Sequence, residues 1–225
     1  MLRGVVFDFD GVLVDSEYVH FEAIRDVLAR EAGIAITHDE YLEHYLAHDD
    51  HTCFRRAFEI HGATATYERI ADLVDMKWHA YDRRLPSVPF LPGARDLVLA
   101  LHAAGVPLAI ASGSRRNEIE TLLRSQDLLA AFRGIVSADE VDNFKPHPEP
   151  YLRARAVIGA ADSSEGVIAI EDSSTGMASA RAAGLRVIGV VGSLPRAKLG
   201  LAHHIVESLV GLTLEDLASV ARGNS

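Results

Sequence analysis

The chain has 225 residues, 48% hydrophobic and 24% charged, a mix that fits an ordinary globular protein and excludes disorder or collagen-like repetition. Its length exceeds one usual domain without reaching two full-sized ones, so one main core with an insertion is expected. The 22 Lys and Arg against 32 Asp and Glu leave a net charge of −10, opposite in sign to the basic footprint of a general nucleic-acid binder.

Short apolar runs rich in β-formers recur at 4–7, 107–111, 134–136, 167–170 and 187–191, with a last one at 204–206. They read as buried parallel strands. Between them lie alanine-rich amphipathic runs that stop at Gly105 and Gly184, and a final helix is expected over 213–221. This alternation predicts an α/β fold with a doubly wound, Rossmann-like parallel sheet.

The first connection breaks the pattern. A strand–helix–strand crossover needs roughly 30 residues, yet the second strand begins near Pro107, leaving a surplus of about 70 residues. Helices are expected at 17–32, stopping at Gly33, at 50–60 behind Asp49 and Asp50, and at 67–85, ended by Pro86; Thr37 to Glu40 is a capping-box candidate. The insertion is therefore an all-helical cap domain, residues 16–89, in an α/β core of 1–15 and 90–225. Hinges are expected near Asp15-Ser16 and along Pro86, Pro89 and Pro92.

The single cysteine, Cys53, can form neither an internal disulfide nor a cysteine-based zinc site. Met1-Leu2-Arg3-Gly4 runs directly into the first strand rather than a signal peptide, so a reducing, cytoplasmic setting is expected. The longest apolar stretch, 97–111, is interrupted by His102, Gly105 and Pro107 and falls short of the ~20 residues of a membrane helix. No nucleic-acid or membrane partner is expected, and a monomer is compatible with this organisation.

Chemistry-bearing residues gather at the carboxyl ends of the strands, where open α/β sheets bind ligands. The first strand ends in Asp8-Phe9-Asp10-Gly11. The second ends in Ser112-Gly113-Ser114, hydroxyls and a glycine opening a helix, which is how a backbone anion cradle is built. The fourth ends in Glu171-Asp172, and Lys145, followed by Pro146-His147-Pro148, lies between. Each element alone is weak, since an isolated Asp-x-Asp is most often an ordinary loop, and Lys145 could simply bridge an acidic pair.

The ordered set Asp8-x-Asp10-Gly11, Ser112, Lys145 and Glu171-Asp172 resembles the haloacid dehalogenase superfamily over nearly the whole chain, specifically the helical-cap branch of small-molecule phosphatases and β-phosphoglucomutase. The resemblance implies Asp8 as nucleophile, forming an aspartyl phosphate, and Asp10 as the acid and then the base. It implies Mg²⁺ held by the side chains of Asp8 and Asp172, the Asp10 carbonyl, and Glu171 directly or through water. Ser112 and Lys145 would hold phosphoryl oxygens. Charge agrees with these roles: four carboxylates outweigh Mg²⁺ plus Lys145 by one, and protonating Asp10 restores neutrality before a phosphate dianion arrives. Backbone N–H groups of Asp10-Gly11 and Ser112–Ser114 would then attract it.

Further candidates are Arg115, because it follows the cradle, and His20 and Lys77 in the insertion. His20 lies ten residues after Asp10; Lys77 resembles a substrate-facing lysine of the sugar-phosphate branch, or is a surface lysine beside Trp78. His44 and His48, spaced i, i+4 with His51 nearby, could carry a metal on one helix face, although exposed histidines explain them more simply. Arg55 and Arg56 read as a solvated face. The chain departs from the mutases in one place: where they carry glycine and an arginine that grips a second phosphate, it reads Asp49-Asp50. The expected activity is a Mg²⁺-dependent phosphatase of a small soluble phosphomonoester, such as a sugar phosphate, with a phosphohexomutase and a non-catalytic phosphate-ligand sensor as alternatives.

Overall fold

The computed structural model describes residues 2–46 and 48–223. In chain order the elements begin with β1 (Gly4–Phe7), α1 (Glu17–Ala32), α2 (His38–His44), α3 (Asp50–Ile60), α4 (Tyr67–Arg84) and α5 (Ala94–Ala103). They continue with β2 (Leu108–Ala111), α6 (Arg116–Ser125), β3 (Gly134–Val136), α7 (Glu149–Val157) and β4 (Val167–Glu171), then α8 (Ser174–Ala182), β5 (Arg186–Val190), β6 (His204–Val206) and α9 (Leu214–Arg222). The chain divides into two compact units, one comprising residues to Asp15 together with Pro89 onward, the other Ser16–Val88.

In the first unit the strands form a parallel sheet in the order β3-β2-β1-β4-β5-β6. Strands buried on both faces read as continuous apolar runs, which is why short segments sufficed to find them. The second strand starts at Leu108 because Pro107 has no N–H for the ladder; its carbonyl instead accepts from Val5 N–H at 3.0 Å. Val6, Ala109, Ala169 and Val187 line one face, packed with Tyr151 and Ala154 of α7 and Met177 and Ala180 of α8. On the other, Phe7 meets Phe132 edge to face at 6.1 Å. The chain runs from β1 outward to β2 and β3, then from β4 outward to β5 and β6, so the order reverses between β1 and β4. That reversal is where a doubly wound sheet opens a ligand crevice.

Two segments of this unit form a short ribbon. Val14 pairs antiparallel with Phe90, Asp15 N–H donates to Pro89 O at 3.0 Å, and Leu91 N–H donates to Leu13 O at 2.9 Å.

The second unit is helical throughout its regular elements. α1 and α3 pack on α4, burying Val19, Ile24, Val27 and Leu28 of α1 against Leu73, Ala80 and Tyr81 of α4. Thr37 caps α2 by accepting from Glu40 N–H at 3.2 Å, but the Glu40 carboxylate turns away to Tyr45 OH at 2.7 Å and His61 Nε2 at 2.9 Å, so the expected box closes on one side. Asp49 caps α3 through Thr52 N–H at 3.0 Å. The expected helix over 67–85 ends at Arg84, and Leu85–Ser87, with Pro86, tighten into a 3₁₀ turn. Among the described residues no helix is long and apolar enough to cross a membrane.

Candidate active site

Parallel pairing of β1 with β4 sets Phe7 beside Ile170, so Asp8 and Glu171 leave adjacent strands side by side. Asp8 N–H is held by Ile170 O at 2.9 Å. Asp8, Glu171 and Asp172 are buried and bring carboxylate oxygens within 4.8 Å of one another. Lys145, reaching in from the loop before α7, donates to Asp8 Oδ1 at 2.8 Å and Glu171 Oε1 at 2.7 Å.

The Glu171 carboxylate has no exposure and is satisfied from several sides. Tyr151 OH donates to Oε1 at 2.8 Å, while Asp172 N–H, Ser173 N–H and Ser173 OH donate to Oε2 at 3.1, 3.1 and 2.9 Å. Ser173 also caps α8 by accepting from Gly176 N–H at 3.0 Å. Gly176 makes room for the carboxylate: a Cβ there would lie 1.7 Å from Glu171 Oε1. Gly11 serves Asp172 in the same way, with φ of +73° and a virtual Cβ 2.0 Å from Asp172 Oδ2. Ser193, in the turn after β5, donates its hydroxyl to Asp172 Oδ2.

Burial, and next the Glu171 carboxylate, push the Asp8 carboxyl well above its ordinary range, against the pull of Lys145. Burial pushes Asp172 to about 6, with Glu171 adding to the shift and the Ser193 hydroxyl opposing it. Burial alone would lower the Lys145 ammonium, yet Asp8 and Glu171 outweigh it and the net shift is upward. Three carboxylates thus face a single ammonium. The excess negative charge and the all-oxygen donor set fit a hard divalent cation.

Asp10 stands beside this cluster and accepts the Ser114 hydroxyl on Oδ2. Ser112 is buried, and its Oγ accepts Ser114 N–H at 2.9 Å, while Gly11 N–H closes onto Val14 O at 2.8 Å. Three donors expected to face an anion are therefore already engaged, Ser114 and Gly11 N–H within their own loops and Ser112 N–H by Val136 O at 2.9 Å. Gly113 has open space on its virtual Cβ side, and Arg115 is the N-cap residue of α6.

His20 and Lys77 belong to the helical unit. Lys77 is not a surface lysine: its side chain is 1% exposed, its Nζ lies 3.7 Å from the Trp78 ring centroid, and Asp50 binds it at 2.9 Å. α2 ends at His44, so His48 falls outside that helix and the i, i+4 metal face does not form. Among the described residues the cluster able to hold a metal is Asp8, Glu171 and Asp172. Arg55 is exposed and pairs with Glu59 at 3.9 Å.

Four residues of the site escaped the sequence reading. Ser173 and Ser193 carried a usable signal, as hydroxyls just beyond the carboxyl ends of β4 and β5. Tyr151 and Gly176 carried none, because a buried tyrosine and a small residue in an amphipathic helix look like packing.

The doubly wound sheet thus carries, at the point where its strand order reverses, three buried carboxylates, two of them joined by one lysine. The chain belongs to the haloacid dehalogenase-like hydrolases, whose family pattern it matches over residues 5–190. It is 33% identical over 202 residues to protein CbbY of Rhodobacter capsulatus, covering 83% of this chain and 84% of that one. It is 30% identical over 225 residues to hexitol phosphatase B of Escherichia coli O157:H7, covering 96% of each. The crystal structure of Rhodobacter sphaeroides CbbY in complex with phosphate superposes with a TM-score of 0.78 at 25% identity, covering 96% of this chain and 99% of that one.

Proposed function

We propose that this enzyme is a Mg²⁺-dependent phosphatase that hydrolyses a small phosphorylated carbohydrate through a phosphoryl group carried on Asp8. The observation that carries the reading is the Lys145 ammonium joined to Asp8 and Glu171 within a buried cluster of three carboxylates. The name of the hexitol phosphatase B relative supports the same substrate class.

In the first step an Asp8 carboxylate oxygen forms a bond to phosphorus while the bond from phosphorus to the ester oxygen breaks. Asp10 gives its proton to the departing alkoxide, which leaves as an alcohol. In the second step Asp10, now a carboxylate, takes a proton from water as that water attacks phosphorus, releasing phosphate and restoring Asp8. The Ser114 hydroxyl orients Asp10. Lys145 keeps Asp8 directed and shares the charge of the phosphoryl oxygens, and Ser112 and Gly113 border the same space. Tyr151 and Ser173 fix Glu171. Asp8 and Asp172, with the Asp10 carbonyl and with Glu171 directly or through water, would hold Mg²⁺, which when bound supplies positive charge for the phosphoryl oxygens.

The test is phosphate release from sugar phosphates, phosphoglycolate and nucleotides, with Mg²⁺ and with a chelator. Chelator-sensitive release from sugar phosphates is expected. Conversion of glucose 1-phosphate to glucose 6-phosphate in the presence of a trace of glucose 1,6-bisphosphate, with little phosphate freed, would establish a mutase instead.

A further inference from the structure

The three buried carboxylates of the sheet unit are not equivalent as ligands, because the fold has already committed most of their oxygens. Glu171 spends both: Lys145 Nζ and Tyr151 OH donate to Oε1, while two backbone N–H groups and the Ser173 hydroxyl donate to Oε2. Asp8 gives Oδ1 to Lys145 at 2.8 Å. Asp172 gives Oδ2 to the Ser193 hydroxyl. Among the described residues no other residue donates to Asp8 Oδ2 or to Asp172 Oδ1, so each aspartate keeps one oxygen for an ion.

The Ser193 contact is built into the sheet. The turn after β5 is anchored to β6 by Val191 N–H, which donates to Val206 O at 3.0 Å, and Leu194 packs, partly buried, against the core. This turn meets the loop after β1 at Gly11. A Cβ there would lie 2.0 Å from Asp172 Oδ2 and 2.8 Å from Ser193 Oγ, so the two oxygens share the space a side chain would fill. Asp172 cannot swing Oδ2 toward Asp8 without giving up the Ser193 hydroxyl.

The number of oxygens a carboxylate presents matters to the choice of ion. Mg²⁺ demands a tight octahedron, is held through one or two carboxylates and keeps several waters, whereas the larger Ca²⁺ takes more oxygens and accepts both from one carboxylate. We propose that Ser193 is a positioning residue that holds Asp172 to a single ligating oxygen and so shifts the preference of the acidic cluster from Ca²⁺ toward Mg²⁺. The proposal rests on the metal-dependent phosphatase reading for the presence of the ion, and its readout is ion binding rather than turnover.

In chelator-stripped protein at fixed ionic strength, the rise of Tm with MgCl₂ and with CaCl₂ gives a Kd for each ion. Ser193→Ala should raise the Kd for Mg²⁺ about tenfold, the usual scale for losing a group that orients a metal ligand. The Kd for Ca²⁺ should stay within about threefold, because a released Asp172 offers that ion both oxygens. General loosening of the fold cancels from the ratio of the two constants. Ser193→Thr, which keeps the hydroxyl, should restore the wild-type ratio. A ratio unmoved by Ser193→Ala, or a threonine variant that behaves like the alanine one, would overturn the proposal. A wild-type Tm that does not respond to Mg²⁺ overturns the metal-dependent reading and this inference with it. Ser193-dependent Mg²⁺ binding in an enzyme that frees no phosphate from sugar phosphates overturns the phosphatase reading alone.

Discussion

Replacing Gly176 with alanine tests the site through a single methyl group. In an exposed helix interior this change would stabilise by about 1 kcal/mol through backbone propensity. Here the new Cβ would lie 1.7 Å from Glu171 Oε1 and 2.0 Å from its Cδ, so the buried carboxylate must retreat by more than an ångström. Its contacts with Lys145 and Tyr151, at 2.7 and 2.8 Å, cannot both survive such a shift. Hydrogen bonds to a charged group contribute about 1.5–3 kcal/mol each, and overpacking adds roughly 1–3 kcal/mol. After the propensity gain, the loss of one such bond together with overpacking leaves a net loss of about 1.5–5 kcal/mol. For a chain of this size that lowers Tm by roughly 3–20 °C, read by differential scanning calorimetry. Gly200→Ala is the control, since its Cβ meets nothing within 4 Å; a change within about 0.5 kcal/mol is expected there. Phosphatase kcat/KM of Gly176→Ala should fall at least about tenfold, one decade per 1.4 kcal/mol of lost transition-state stabilisation. A Gly176→Ala protein as stable as wild type and fully active would refute the view that α8 is built around the Glu171 carboxylate.

Asp10→Asn should lose steady-state turnover yet accumulate label on Asp8 from an activated aryl phosphate, because a good leaving group needs no acid while hydrolysis still needs the base; intact-mass spectrometry with no phosphoenzyme would count against the assigned roles. Asp8 and Asp172 hold their protons more tightly folded than unfolded, so the metal-free protein should lose stability as pH rises from 3.8 through about 6. Mg²⁺ should abolish that loss, and Tm profiles with and without chelator would show it. Glu149 is held near 2, first by the Asn143 side chain and then by Asp142 N–H, and it ties down the loop that carries Lys145. Its contribution is present above the ordinary value of 4.5 and vanishes as pH falls toward 2, so the Tm gap between wild type and Glu149→Gln should close across that interval, with turnover reduced at neutral pH.

Much of this was legible in the sequence for one physical reason. Strands with both faces buried are unbroken apolar runs, so β1 and β3 stood out with their ends marked by polar residues, whereas β6, an edge strand that starts at the exposed His204, was found from its two β-branched residues. β4 was read one residue short because Glu171 is charged, and a charge normally signals the loop; its carboxylate is instead buried among donors. The same rule located Asp8, Ser112 and Asp172, since all follow strand ends. Contacts that depend on distant segments were out of reach. Nothing near Tyr151 in sequence points to Glu171, 20 residues on, and nothing near Lys77 points to Asp50, 27 residues back. Lys77 misleads most, because an isolated lysine on an amphipathic helix is ordinarily solvated, and only an aromatic floor and a carboxylate make its burial tolerable.

The ribbon formed by Leu13 to Asp15 with Pro89 to Leu91 gives the chain the topology of a stem with a side loop. Because the stem closes within the sheet unit, the length of the intervening segment enters the stability of the sheet through closure entropy, which grows by about 0.6 kcal/mol for each doubling of length. The sheet is thereby a stock onto which segments of very different size can be grafted at a single point, with the graft free to diverge while the acidic cluster stays under the constraint of its own strands.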